Sequence, residues 1–244
     1  MKKIGVIGGS GLTSLKQLQI IHREVVNTPY GEASAPLTYG RLGDVELLFL
    51  PRHGSGHNIP PHCINYRANI WAMKELGVEQ VVGLATVGGI SQPPLAMVLP
   101  DQLIDYSWGR EQTFFDGENG QVSHVDFSSP YCDELRSTLA LAALKAGIDV
   151  VTEGIYGVTQ GPRLETAAEI DRLQADGCDI VGMTALPEAS LAREAGLCYA
   201  TCAIVVNWAA GKGEGAITQE LIDAHLKIGK ESVSSLLQHL KPEI

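Results

Sequence analysis

A mixed β-sheet flanked by helices, carried by one chain of 244 residues, is the α/β fold this sequence predicts. Short apolar runs that read as buried strands alternate with longer stretches whose apolar residues recur at helical spacing. Several of the strand-like runs end in glycines, hydroxyl residues or charged groups. Hydrophobic residues make up 45% of the chain, enough for a sizeable core. No repeat or linker divides it, so residues 1–244 are expected to form a single domain.

Residues Lys3 to Ile7 read as a first buried strand running into the turn Gly8-Gly9-Ser10-Gly11. Strand-like material follows. Val45 to Leu50 is a second clear strand, ending in Arg52, His53 and His57 on a glycine-rich loop. Asn65 to Leu76 is helical, with Gly77 suited to its C-terminal cap. Gln80 to Leu84 is a strand that turns out through Ala85-Thr86-Val87-Gly88-Gly89. Asp101 to Tyr106 is a further strand. The polar and aromatic stretch Ser107 to Pro130 is a long loop, of the kind used for binding or interfaces. Tyr131 to Ala146 is an amphipathic helix, Val150 to Val158 a strand and Thr166 to Ala175 a helix. Asp179 to Gly182 is a short strand, and Pro187 sits at a helix start, where proline is tolerated. Leu197 to Val206 is a long buried strand. Thr218 to Leu240 closes the chain as a helix with an apolar stripe.

The formal net charge is −10, so no basic face for nucleic acid is expected. No run approaches the roughly 18 apolar residues of a membrane span, and the N-terminal run is too short for a signal peptide. The five cysteines form no CxxC pair and read as reduced core residues. A zinc site from His53, His57 and His62 has no carboxylate or thiolate to complete it, so no metal is expected. The glycine turn at Gly8 lacks the acidic ribose partner of a dinucleotide fold. Glycines beside a hydroxyl still suit an anion nest, and a guanidinium at Arg52 suits an oxyanion.

Six stretches then follow one another along nearly the whole chain: IGVIGGSGL from Ile4, PRHGSGH from Pro51, NYRANIWAMKELG from Asn65, VGGI from Val87, QGPRLET from Gln160 and GMTALPEASLAREAG from Gly182. In that order they resemble the trimeric purine nucleoside phosphorylase and methylthioadenosine phosphorylase family. The resemblance implies the nucleoside-phosphorylase α/β fold and a cytoplasmic pentosyltransferase of purine salvage. It implies a homotrimer with sites near subunit interfaces, inorganic phosphate as co-substrate, and neither metal nor other cofactor. By position it places phosphate with Ser10, Arg52, His53, Thr184 and the backbone near Ala85 and Thr86. Ala85 departs from the family, which often has a polar Thr or Asn there, and Thr86 is a possible substitute. Met183 resembles the residue beneath the ribose, Leu164 stands where a Phe commonly packs against the base, and His124 resembles a residue given to the neighbouring subunit's site.

Phosphorolysis of an N-glycosidic bond needs phosphate held beneath C1′ and charge stabilised on the departing base. Arg52 and His53 are the candidate catalytic groups for the first requirement and Asn207 for the second. Methylthioadenosine phosphorylases carry an aspartate at the Asn207 position and another two residues on. Here Asn207, Trp208 and Ala209 stand there, all expected at the base. A carboxamide donates to N7 and to a 6-oxo oxygen. Glu165 stands where purine nucleoside phosphorylases have Glu, and it would accept from N1–H. Its alternative role is to cap the helix near Thr166. Both differences point to a 6-oxopurine. At the sugar end the family pattern brings Gln219 and Ile222 of the last helix toward C5′. The combination is most similar to the bacterial methylthioinosine phosphorylases. The expected reaction converts S-methyl-5′-thioinosine and phosphate to hypoxanthine and 5-methylthioribose 1-phosphate. A general 6-oxopurine nucleoside phosphorylase is the alternative, with a methylthioadenosine phosphorylase behind it.

Overall fold

The structure is a computed structural model that describes residues 3–9, 18–117 and 120–240. Its strands and helices follow the apolar patterning closely. Strand β1 (Ile4–Gly8) is buried throughout, β2 (Gln19–Glu24) is an exposed edge, and β3 (Leu37–Leu42) and β4 (Val45–Pro51) return from it as an antiparallel pair. Helix α1 (Tyr66–Glu75) starts at Asn65, whose side chain accepts from the Ala68 amide. Strand β5 (Gln80–Gly89) carries on through the five residues read from sequence as a turn. Strands β6 (Met97–Val98) and β7 (Gln102–Asp105) precede the long loop, and α2 (Asp133–Lys145) follows it.

The run Val150 to Val158, expected as one strand, is two: β8 (Val150–Val151) and β9 (Ile155–Val158). The break is at Gly154, whose amide is taken by the Asp101 carboxylate at 2.7 Å rather than by a neighbouring strand. Helix α3 (Ala167–Ala175), β10 (Ile180–Gly182), α4 (Ala185–Glu194), β11 (Cys198–Trp208) and α5 (Gln219–Gln238) complete the order.

All eleven strands belong to one mixed sheet. Alternation along the central strands sends side chains to two separate cores. Val81, Ala85 and Val87 of β5 join Tyr199, Ala203 and Val205 of β11 beneath α1 and α4. Val82 and Leu84 join Ala200, Cys202 and Ile204 beneath α2 and α5. Helices thus cover both faces, as the near-continuous apolar runs of these strands require. Gly229 lets α5 close on β11, since a Cβ there would lie 2.6 Å from the Ile204 Cγ2.

One expectation is corrected here. Cys132 and Cys198 are joined by a disulfide across a sequence separation of 66. The chain reversal that does this is invisible in sequence spacing: the Cys132 amide bonds the Tyr199 carbonyl at 2.8 Å, bringing the start of α2 to the start of β11. Cys63, Cys178 and Cys202 remain free thiols. A crosslink closing so long a loop stabilises by about 2–4 kcal/mol. The double variant Cys132→Ala/Cys198→Ala should therefore unfold at lower urea, by an amount in that range. An unchanged midpoint would show that the link contributes nothing.

Candidate active site

The central sheet has a gap, and a cavity opens in it. Strand β11 pairs with β5 from Gln80 to Gly89 and fills one edge of it. Strand β1 pairs with Gln80 to Gly83, and β10 with Gly88 and Gly89, so these two share the opposite edge. Between them Leu84 to Val87 have no strand partner on that side among the described residues. The cavity there, of about 470 Å³, is lined by Ala85, Thr86, Val87 and Gly88 of β5. Gly9, just past β1, also lines it; a Cβ at this position would lie 2.6 Å from the Leu84 carbonyl and 3.1 Å from Arg52 Nη1. Only glycine lets the chain pass so close. Ser10 lies outside the described residues.

Arg52, at the end of β4, is 1% exposed. Its Nε donates to Glu188 Oε1 at 2.6 Å and its Nη2 to Glu188 Oε2 at 2.7 Å. Its Nη1 donates to the Leu84 carbonyl at 2.9 Å, using one acceptor of the unpaired β5 edge. Burial works against the guanidinium charge, but Glu188 outweighs it and holds the pKa above the ordinary arginine value. Five N–H groups less these three bonds leave two for a ligand. The Arg52 charge is already matched by Glu188, so what it offers the cavity is directed N–H groups more than net positive charge.

His53 also lines the cavity. Its Nδ1 lies 2.8 Å from the Ile59 carbonyl, which can only accept, so Nδ1 carries the proton. Burial, then the Arg52 charge, lower its pKa to about 4. The neutral ring therefore turns a lone pair at Nε2 outward, an acceptor suited to a P–OH group. Among the described residues no cluster of three His, Cys, Asp or Glu could hold a metal ion.

The far walls come from four elements. Strand β11 carries a bulge between Val205 and Asn207 against β5. A regular strand would turn consecutive residues to opposite faces; the bulge re-aims the chain, and both Val206 and Asn207 line the cavity. Asn207 is buried and donates one Nδ2 hydrogen to the Trp208 carbonyl at 2.7 Å, leaving a second N–H and Oδ1. Met183 and Thr184, between β10 and α4, also line it; Thr184 precedes the helix without capping it by its side chain. Leu164 contributes from the loop after β9, and Gln219 and Ile222 from the first turn of α5. The Gln219 amide is held along its own helix by Asp223 Oδ1 at 2.9 Å.

Four expected residues do not line this cavity. Trp208 alternates away behind Asn207 and packs beside Gly213. Ala209 is buried with Ile170 and Leu173 under α3. His124 is exposed on the long loop. Glu165 turns into an adjoining cavity of about 360 Å³, where its Oε1 accepts from Thr159 Oγ1 at 2.6 Å. Glu165 does not cap the helix, because Thr166 caps α3 and Glu169 closes the capping box.

Sequence reasoning missed Glu188 and Arg110. Arg110 donates to the Met183 and Leu186 carbonyls, both at 2.7 Å, and to the Gln160 carbonyl at 2.8 Å. It fastens the loop after β9 to the start of α4. Its place in a long loop was the only signal.

The chain matches the phosphorylase superfamily over residues 3–241. A probable S-methyl-5′-thioinosine phosphorylase of Xanthomonas campestris is 49% identical over 243 residues, which cover 99% of this chain and 96% of that protein. A 6-oxopurine nucleoside phosphorylase of Pyrococcus furiosus is 46% identical, with 97% and 91% covered. Among solved structures, methylthioadenosine phosphorylase from Schistosoma mansoni in complex with adenine superimposes with a TM-score of 0.93 at 35% identity, over 98% of this chain and 91% of that one.

Two outcomes follow from the charges. Glu188→Gln strands a buried guanidinium and should destabilise the fold by about 3–5 kcal/mol in urea unfolding; a loss under about 1 kcal/mol would mean that water reaches Arg52. For His53, the folded pKa of about 4 lies below the unfolded value near 6.5. Between the two the unfolded chain binds the extra proton, so stability is full above pH ~6.5 and falls as pH drops toward 4, by up to roughly 3 kcal/mol. His53→Asn should flatten that stretch of the stability curve, and an unaltered slope would assign the acid loss elsewhere.

Proposed function

The chain belongs to the phosphorylase superfamily, and we propose that within it the protein cleaves S-methyl-5′-thioinosine with phosphate. The products are hypoxanthine and 5-methylthioribose 1-phosphate. The observation that carries this reading is one cavity lined both by the Asn207 carboxamide and by apolar Ile222. The first suits a 6-oxopurine and the second a methylthio group.

In this scheme a phosphate oxygen attacks C1′ as the C1′–N9 bond breaks, and the bonding pair leaves with the purine. Phosphate meets the two remaining Arg52 N–H groups, Thr184, and the open β5 edge at Ala85 and Thr86. Its own O–H donates to Nε2 of neutral His53. The free Asn207 N–H stabilises charge developing at the N7 and O6 side of the base. Met183 floors the sugar and Leu164 packs on the base. No step is routed through a metal or organic cofactor.

A second reading, phosphorolysis of inosine or guanosine, draws on Gln219 in the same lining. Its amide is engaged with Asp223, which weakens its claim to a 5′-hydroxyl. The protein acts, on this reading, as a cytoplasmic homotrimer. Exposed His124, with exposed Trp108, Val122 and Val125 on the same loop, fits a partner surface rather than its own cavity. No described helix is long and apolar enough to cross a membrane.

Steady-state kinetics on methylthioinosine, methylthioadenosine and inosine decide among these. We expect kcat/KM to be highest for methylthioinosine, and Asn207→Asp to shift preference toward methylthioadenosine by about tenfold or more, the size of one hydrogen bond to a charged group. A wild-type preference for methylthioadenosine would overturn the base assignment, and one for inosine the sugar assignment.

A further inference from the structure

Glu165 lines the smaller of the two cavities and not the larger, and one side chain holds its carboxylate there. Leu164 lines the larger cavity, and Glu165, the next residue, lines the smaller. Met183 lines the larger cavity and Gly161 the smaller, and the two lie so close that a Cβ at Gly161 would be 2.4 Å from the Met183 sulfur. Thr159, immediately after β9, donates its hydroxyl to Glu165 Oε1 at 2.6 Å. Among the described residues Glu165 Oε2 has no hydrogen-bond partner.

Thr159 is itself fixed. Its amide donates to the Gly182 carbonyl at 2.8 Å, continuing the β9–β10 ladder. Its carbonyl accepts from Arg110 Nη2 at 3.1 Å. A residue pinned on both backbone sides is a rigid post for its hydroxyl. The Gly182 carbonyl, 3.3 Å from the same oxygen, is the only other acceptor within reach of that hydroxyl among the described residues, and the shorter bond to the carboxylate is favoured because an ionised acceptor binds more strongly.

We propose that Thr159 is the positioning residue for purine recognition, orienting Glu165 so that its unpartnered oxygen accepts from N1–H of a 6-oxopurine. The inference rests on the base assignment proposed above. An ionised carboxylate has acceptors only. That form rewards a base carrying N1–H and repels the unprotonated N1 of adenine. Selectivity then depends on a residue that never touches substrate. The sequence offers no hint of this, because Thr159 reads simply as the end of a strand.

The test compares kcat/KM on methylthioinosine and methylthioadenosine for the wild-type protein, Thr159→Val, Thr159→Ser and Glu165→Gln. Valine keeps the shape and removes the hydroxyl. It should lower kcat/KM for methylthioinosine about tenfold, as expected for loss of an oriented charged hydrogen bond, and that for methylthioadenosine less than about twofold. Serine should restore the ratio to within about twofold. Equal losses on both substrates, with no rescue by serine, would reduce Thr159 to a structural role and overturn the inference. A ratio that collapses in Glu165→Gln but holds in Thr159→Val overturns it too, while leaving the base assignment standing. A ratio that holds in Glu165→Gln removes the base assignment, and the inference with it.

Discussion

The ion pair between Arg52 and Glu188 is the constraint around which the rest of the molecule is arranged. Both side chains are essentially out of water, at 1% and 0% exposure. Removing each charge from water costs several kcal/mol even after relaxation. The structure offsets this with a two-pronged geometry, a third bond from Arg52 to the Leu84 carbonyl, and the Tyr199 hydroxyl, which donates to Glu188 Oε2 at 2.8 Å. Those bonds join the end of β4, the middle of β5, the helix α4 and the start of β11. Thr184 and Met183 lie just ahead of Glu188 in the chain, so anchoring that carboxylate also fixes where they stand. Such a pair is a weak source of net stability. Its value here is positional, because any movement of these elements would separate two buried charges.

The cavity exists because the sheet is irregular at two places. A regular ladder would pair Leu84 to Val87 on both edges and leave no room for a ligand. Instead β1 stops pairing at Gly83 and β10 begins only at Gly88, and backbone groups of β5 face the gap. The second irregularity is the bulge at Val206, which puts two consecutive residues of β11 on one wall. Gly9 permits the close approach that keeps the gap narrow. The polar groups of this site are thus strand ends and strand defects rather than side chains on an intact surface.

How much of this was legible in the sequence follows from the same geometry. Apolar runs with period two or 3.6 located the central strands and helices, since burial on one or both faces leaves that trace. Strand β6, two residues long, and the break at Gly154 leave none. Arg52, His53, Thr184 and Asn207 were readable as polar residues at the ends of apolar runs. Glu188 was not, because its partner lies 136 residues away and its own neighbours read as an ordinary helix. The disulfide was hidden for the same reason: Cys132 and Cys198 meet only after the chain has crossed the sheet. Trp208 and Ala209 were expected beside Asn207 because the family pattern has an acid at the Asn207 position and another two residues on. Alternation turns Trp208 to the other face, and Ala209 lies past the end of β11 and packs with Ile170 and Leu173; only the bulge exempts Val206.

An acidic chain with a neutralised arginine is at first sight a poor host for phosphate. The formal charge of −10 repels an anion at long range, although salt screens that repulsion within about 8 Å at physiological strength. At short range the seat is built from N–H dipoles, a hydroxyl and a neutral imidazole. Dipoles fixed by the fold are already oriented when the anion arrives, so none of the binding energy goes into turning them. The His53 lone pair then adds a condition. An anion that keeps one proton, as phosphate does near neutral pH, donates to it. A fully deprotonated anion such as sulfate would face it without a hydrogen bond. Because the Ile59 carbonyl fixes the proton on Nδ1, and burial beside Arg52 keeps a second proton off the ring, the proposed phosphate seat would select by protonation state as well as by charge. In the proposed reaction this holds phosphate as a protonated nucleophile in a gap whose positive charge is already spent on Glu188.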